Sequence, residues 1–485
     1  MDPGRPLSRW LMLIVLLWCG FGRAHGINSH VHVTGWTLEN LPPGPLADFF
    51  AEPAVFDALL LGATFPDSGY AVDDDYGELA HWSPFAEGAL ADLQARYPLP
   101  WDTLEARKHA AFVMGIALHG LQDELFDTLF LRQAEHHDGA TQDDTDGGLD
   151  GIMFTEGLFR FLPEYYVPAQ ALSEVFASAN GHQVTPQTIE TGVTRVKLVV
   201  IDTFAGIGPT LDAESRENLT WSIAHYLDPA VPGSFVSEIA ATEAFLEGLW
   251  NRLHRIEGPS VPVVHVYPEA PRRLRSTVPD GVDHWISLVL AGGVRAGSLS
   301  EDRVRLVAPD GQAVPIRLRP SRWAHADTAS TRMIVLEPLE ALAFDTEYRV
   351  EVSPGLGFLS GFEYAPWSYT VRTACPLEAP CPAPDIAVPS ITGPADAMVP
   401  DANIVPDAAL PPPDRGIAPP DRGTAAPDGG TRPTVQSTRM DPPVEGGCVA
   451  TGSQTAPPGW LLLLLCLTRR LSRRPNGPRR PHQAL

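Results

Sequence analysis

Apolar residues recur three and four positions apart through two long stretches, "DTLEARKHAAFVMGIALHGLQDELFDTLFLRQAEHH" (102–137) and "SEIAATEAFLEGLWNRLHRI" (237–256). That period predicts amphipathic helices. The whole of 25–258 reads as all-α, with long loops expected at 62–85 and 136–150; loops of such length inside a domain point to function. From 260 to 375 the period shortens. Six β-prone runs, "VPVVHVY", "HWISLVL", "DRVRLVA", "AVPIRLR", "TEYRVEV" and "WSYTVRT", are separated by turn signals such as "PDG" (309–311). These predict an all-β sandwich of about a hundred residues. It carries no ligand cluster, so it is expected to fold without metal and to be dispensable for chemistry in the helical part.

The two ends break both patterns. Arg5 and Arg9 precede "WLMLIVLLWCGFG", which is too short to span a membrane and is followed by small residues. Residues 1–24 therefore read as a signal peptide, with cleavage after Ala24 leaving His25 as the mature N-terminus. Residues 376–445 are proline-rich, repeat "PPDRG" (412–416, 419–423), and predict an extended spacer. Residues 446–485 combine Gly-Gly-Cys448, a short apolar run and a basic tail. This order resembles the C-terminal sorting signal of myxobacterial surface proteins and implies export with anchoring at the outer membrane or cell surface; an ordinary short C-terminal anchor is the plainer alternative. The β region is similar in pattern to immunoglobulin-like domains of bacterial surface proteins. In an oxidising compartment Cys375 and Cys381 are close enough in sequence to bridge.

Charge narrows the partners. The net charge of −24, concentrated in "VDDDYGE" (72–78) and "TQDDTDGGLD" (141–150), opposes binding to nucleic acid through phosphate contacts.

One short motif stands out on the apolar helix. "HGLQD" places His119 and Asp123 four residues apart, on one helix face, with Asp127 a turn further. A buried histidine and aspartate are costly unless they pair or bind metal. Mutual pairing is the bland explanation. "INSHVHV" adds His30, "GATFPDSGY" adds Asp67 and "ELAHWSPF" adds His81. Imidazole, carboxylate and a free amine together suit zinc.

The stretches "NSHVHV", "FPDSGY", "HWSPF", "RYPLPW", "GIALHGLQD" and "YYVPAQALSEVF" resemble, in order and spacing, the zinc-dependent phospholipase C family, above all its glycosylphosphatidylinositol-specific phospholipase D branch. The resemblance covers about residues 25–255 and implies an all-α scaffold shared with fungal single-strand nucleases. It implies Asp67, His81, His119 and Asp123 as ligands of one Zn2+. His30 would hold a second with the amine and carbonyl of His25, and Asp123 would bridge the two. At the third metal position the chain departs from the family. Asp127 and Gln142 stand where that branch has histidines, while Asp146 keeps the acidic ligand. That remainder would take a harder cation, Ca2+ or Mg2+, or nothing.

The implied activity is hydrolysis of a phospholipid by metal-activated water, of phospholipase C or D type, with Asp67 doubling as general base. Phe65, Tyr70, Trp82 and Phe85 flank the ligands and are candidates for the substrate pocket; core aromatics are the alternative. Two other functions remain: a nuclease or nucleotidase on the same scaffold, and a surface module with a partly decayed metal site.

Overall fold

The computed structural model describes residues 26–158, 160, 166–197, 212–255, 261–274, 285–321, 330–376, 378–382, 389 and 391. The expected leader, His25, all of the expected tail and nearly all of the proline-rich stretch lie outside the described residues.

The helical part begins with an N-terminal helix, Ile27–Asn40, and a short helical pair, Pro45–Phe50 and Pro53–Gly62. The central helix, Leu104–Leu125, starts where the Thr103 side chain accepts the Ala106 N–H at 3.2 Å. It continues through a π-helical turn, Phe126–Phe130, into Leu131–His137. A last long helix, Phe235–Leu253, is capped in the same way by Ser234.

Both expected loops are more ordered than their sequences suggest. Residues 62–85 form two 3-10 turns, Pro66–Ser68 and Tyr70–Val72, and a short helix, Tyr76–Ala80, before the Ser83–Arg96 helix begins. The loop expected at 136–150 is largely an acidic helix, Gln142–Thr155. It starts on a reciprocal capping box, in which Thr141 accepts from the Asp144 N–H and Asp144 accepts from the Thr141 N–H. Asp143 and Asp144 in its first turn favour the positive end of the helix dipole, so an acidic run that looked like a solvated loop becomes a helix start.

The β part forms two four-stranded antiparallel sheets. Strands β1 (Val263–Tyr267), β2 (Ile286–Arg295), β3 (Val304–Val307), β4 (Ala313–Val314), β5 (Ile316–Pro320), β6 (Ser330–Pro338), β7 (Glu347–Val352) and β8 (Trp367–Arg372) order as β1-β2-β6-β5 and β4-β3-β7-β8. Leu288, Leu290, Ile334 and Leu336 of the first sheet meet Val304, Leu306, Val350 and Val371 of the second in one apolar core. Cys375 and Cys381 are bridged, with Cα atoms 5.4 Å apart.

Alternation along the first sheet decides how the two parts relate. Val289, Met333 and Val335 belong to the core of the helical part, while their neighbours Leu288, Ile334 and Leu336 belong to the sandwich. Successive side chains on a strand point to opposite faces, so this sheet is buried on both. Tyr267 of β1 also joins the helical core and donates its hydroxyl to the Ser237 carbonyl at 2.8 Å. The β part is therefore one wall of the helical core. Removal of the β part would bare that core, so the packing argues against the expectation that it is dispensable.

Candidate metal centre

Three separate elements converge on the central helix. His119 and Asp123 lie one turn apart on it, and the π-helical turn that follows keeps Asp127 buried as well. Such π segments inside helices are frequent at functional sites. The N-terminal helix supplies His30, the first 3-10 turn supplies Asp67, and the residue after Ala80 supplies His81. All of these side chains are buried.

His30 Nε2 lies 3.1 Å from Asp123 Oδ1, and His119 Nε2 3.2 Å from Asp123 Oδ2. His81 Nε2 lies 3.4 Å from Asp67 Oδ1 and 3.6 Å from Asp123 Oδ2. The donor atoms of His30, His119 and Asp123 fall within 4.8 Å of one another, as do those of Asp67, His81 and His119. Two overlapping ligand groups thus share His119, with Asp123 between the three histidines.

Each histidine is held from behind. His119 Nδ1 donates to the Ala63 carbonyl at 2.7 Å, and His81 Nδ1 donates to the Gly77 carbonyl at 2.6 Å. His30 Nδ1 donates to Gln122 Oε1 at 2.8 Å, and Gln122 Nε2 donates to Thr34 Oγ1 at 3.0 Å. Carbonyls only accept, so Nδ1 carries a proton and Nε2 is the nitrogen turned toward the cluster, the arrangement that metal-ligating histidines use. The Ala63 carbonyl reaches His119 because the Pro53–Gly62 helix crosses the central helix at glycines. A Cβ on Gly62 would come within 2.0 Å of the Phe112 carbonyl oxygen, and one on Gly115 within 2.2 Å of the Leu59 oxygen.

Charge in the cluster is balanced by protons. Burial alone would lower the His81 and His30 pKa values, but Asp67 and Asp123 lift His81 to about 9, and Asp123 raises His30. His119 is lowered by burial and by the neighbouring His30 charge. Burial would raise Asp123, yet His119 and His30 hold it well below the usual carboxylate range. Among the described residues, both Asp123 oxygens, His119 Nε2 and Asp67 Oδ2 are buried without a hydrogen bond. Buried polar atoms are rarely left so. A cation in their midst would satisfy them and displace the histidine protons, so the donor set fits a zinc pair.

A second carboxylate group adjoins it. Gln142 Nε2 lies 3.5 Å from both Asp127 oxygens. Asp146, one turn along the acidic helix, is pushed well above the usual range by burial and then by Asp127; both its oxygens lack a hydrogen bond among the described residues. Asp150, another turn on, accepts the N–H groups of Asn28 and Ser29 at 2.9 and 3.0 Å and so fastens the first turn of the N-terminal helix.

The four candidate substrate-pocket aromatics divide. Phe65 and Phe85 pack in the helical core: they stack on each other, and Phe85 stacks on Phe176 at 4.0 Å. Tyr70 and Trp82 flank His81, with ring centroids 5.4 and 6.4 Å from it, and both donate to Glu78, at 2.9 and 3.0 Å.

Sequence reasoning passed over Gln122, Asp150 and Glu78. Asp150 carried a signal, since a helix start read at Thr141-x-x-Asp144 puts Gln142, Asp146 and Asp150 on one face. Gln122 carried none beyond its place beside Asp123.

Partial sequence similarity relates the chain to phospholipases. It is 25% identical over 210 residues to the phosphatidylinositol-glycan-specific phospholipase D of Rattus norvegicus, which is 39% of this chain and 24% of that protein. The enzymes of Mus musculus and Bos taurus are 27% and 28% identical over 206 and 196 residues. The chain thus spans about a quarter of the length of these curated relatives. No family model matches it. No solved structure matches it. No helix among the described residues is long and apolar enough to cross a membrane.

Proposed function

We propose that the chain is an exported, zinc-dependent phosphodiesterase that hydrolyses phospholipids. The observation that carries this reading is the buried set of Asp67, His81, His119, Asp123 and His30, with every histidine locked through Nδ1 and turned inward through Nε2. The similarity to phosphatidylinositol-glycan-specific phospholipase D supports a phospholipid over other phosphodiesters.

Asp67, His81, His119 and Asp123 would hold one zinc; His30 and Asp123 would hold the second, with the amine and carbonyl of a processed N-terminus at His25. Zinc so held would supply Lewis acidity toward the phosphate and toward the attacking water. Asp67 Oδ1 lies against His81 while Oδ2 has no hydrogen bond, so one carboxylate can serve as ligand and still accept a proton. Tyr70 stays a hydrogen-bond donor, since burial and Glu78 push its hydroxyl far above neutrality. With Trp82 it would flank the bound headgroup. Asp127 and Asp146 lack the histidines of a third zinc site and would take Ca2+ or Mg2+, or share a proton in the absence of a cation.

The test is elemental analysis of protein beginning at His25, followed by product identification with defined phospholipids. About two zinc ions per chain and phosphate-containing products support the reading. Zinc without turnover of any lipid, but with release of phosphate from nucleotides, would favour the nucleotidase alternative. No bound metal would favour a surface module with a decayed site.

A further inference from the structure

We infer that Arg332, from the β part, is a positioning residue of the metal centre, so that the ligand set is built jointly by both parts of the chain. The two parts fall within one structural unit, Met1–Ile404. Arg332 lies on β6 and is only 1% exposed. Its guanidinium Nη1 donates to Glu124 Oε1 at 3.0 Å and to the His81 carbonyl at 3.2 Å. Its own backbone N–H donates to Glu124 Oε2 at 2.8 Å, and Thr331 Oγ1 donates to the same oxygen at 3.0 Å.

These contacts touch the ligands from outside. Glu124 follows Asp123 on the central helix, and the His81 carbonyl belongs to a ligand residue on a different element. One guanidinium therefore ties the main chain that carries His81 to the helix that carries His119 and Asp123. His81 is then fixed at both ends, by its Nδ1–H on the Gly77 carbonyl and by its own carbonyl on Arg332. The central helix makes room for this at Gly120, next to His119. A Cβ there would come within 2.1 Å of the His81 oxygen and 2.6 Å of Arg332 Nη1. The helix is thus indented where the His81 carbonyl and the Arg332 guanidinium meet beside it. A buried arginine is also an unusual choice for a wall otherwise built from Val289, Met333 and Val335.

Burying an ion pair seldom stabilises a fold more than apolar residues of the same size would. Placement of His81 gives this pair a role that burial alone does not. The inference rests on the reading of His81 as a metal ligand, and the experiment separates the two. The Glu124→Gln/Arg332→Met double variant removes both buried charges and the donor to His81 together. Arg332→Lys keeps the charge but not the forked geometry. Full-length wild type and both variants are compared by thermal melting, by zinc affinity in chelator competition, and by the visible spectrum of Co2+ substituted for zinc.

The expected result is a double variant that melts close to wild type, loses ten- to a hundredfold in affinity for one of its zinc ions, and shows an altered Co2+ spectrum. Arg332→Lys should fall between the two. If the double variant does not fold, Arg332→Lys carries the test on the same readouts. A folded variant with wild-type zinc affinity and Co2+ spectrum would overturn the positioning role and leave the metal site standing. Wild-type protein that takes up neither Zn2+ nor Co2+ would overturn both.

Discussion

Replacing Gln122 by leucine should release one zinc and spare the other. The side chain is fully buried; leucine branches one carbon earlier but is comparable in bulk, so the substitution removes two hydrogen bonds with a modest change in packing. The bonds are His30 Nδ1–H to Oε1, at 2.8 Å, and Nε2–H to Thr34, at 3.0 Å. Depriving a buried donor of its acceptor costs about 1–3 kcal/mol, which lowers the melting temperature of a part this size by several degrees. The cost to metal binding is separate. Without its acceptor the His30 ring is no longer held with Nε2 toward Asp123, and loss of such a partner weakens metal affinity about 10- to 100-fold. His81 and His119 are oriented by main-chain carbonyls that the substitution does not touch. Chelator competition should therefore resolve one weakened zinc and one unchanged. Gln122→Glu should act in the opposite sense on His30, since a carboxylate is the stronger acceptor for Nδ1–H, although it forfeits the bond to Thr34. If folded Gln122→Leu holds both ions within twofold of wild type, the orientation argument is wrong.

Asp123→Asn replaces the carboxylate that lies between three histidines, and both zinc ions should be lost on dialysis; retention of two ions, seen by elemental analysis, would contradict a bridging role. Glu238 is wholly buried, and burial, then Asp123 and Asp127, raise it well above the usual range, which favours its neutral form in the fold. Its folded pKa is raised, so the stability it contributes is full below the unfolded value near 4.5 and is lost as pH rises through the folded value. In metal-free protein, Glu238→Gln should therefore flatten the fall in melting temperature between acid and mildly alkaline pH; parallel curves for the two proteins would refute this. Truncation after residue 259 bares the helical face covered by Tyr267, Val289, Met333 and Val335, and should give aggregated protein with weakened zinc binding by gel filtration and metal analysis.

The cluster of candidate ligands was legible because metal chemistry restricts residue types, and because a helix places positions four apart on one face. His119 and Asp123 announced themselves in this way. The partners that orient the ligands were not legible. Two of the three Nδ1 acceptors are main-chain carbonyls, of Ala63 and Gly77, and a carbonyl leaves no mark in a sequence. Arg332 lies 208 residues from Glu124, on β6, a strand that none of the six β-prone runs covered. The strand pattern itself carried more than it first yielded. The run "MIVL" (333–336) is apolar at four successive positions, a pattern that belongs to a strand buried on both faces and not to one wall of a free-standing sandwich. Closeness to the candidate ligands in sequence does not say which way a ring points, and Phe65 and Phe85 pack among the core aromatics.

Processing of the N-terminus should control the second zinc. The signal-like leader offers cleavage after Ala24, which would leave one residue, His25, ahead of Gly26. From Gly26 on, the chain start is fastened: Asp150 accepts the N–H groups of Asn28 and Ser29, and a Cβ on Gly26 would fall within 2.1 Å of the Asp150 carboxyl carbon. Asp150 lies one helical turn from Asp146, so this anchor belongs to the same acidic helix as the second carboxylate group. His30 follows within the first helical turns and reaches Asp123. A free amine at His25 would thus be tied to the same short segment as His30, whereas a longer chain would carry an amide nitrogen there, which is a poor ligand. Protein released to begin at His25 should hold one more zinc than protein keeping a few leader residues, and should hydrolyse a short-chain phospholipid faster. Gly26→Ala, which sets a methyl against Asp150, should weaken that same zinc in the His25 form and have little effect in the extended one. Equal zinc content in the two forms would leave His30 as an ordinary histidine ligand and remove any role for the terminal amine.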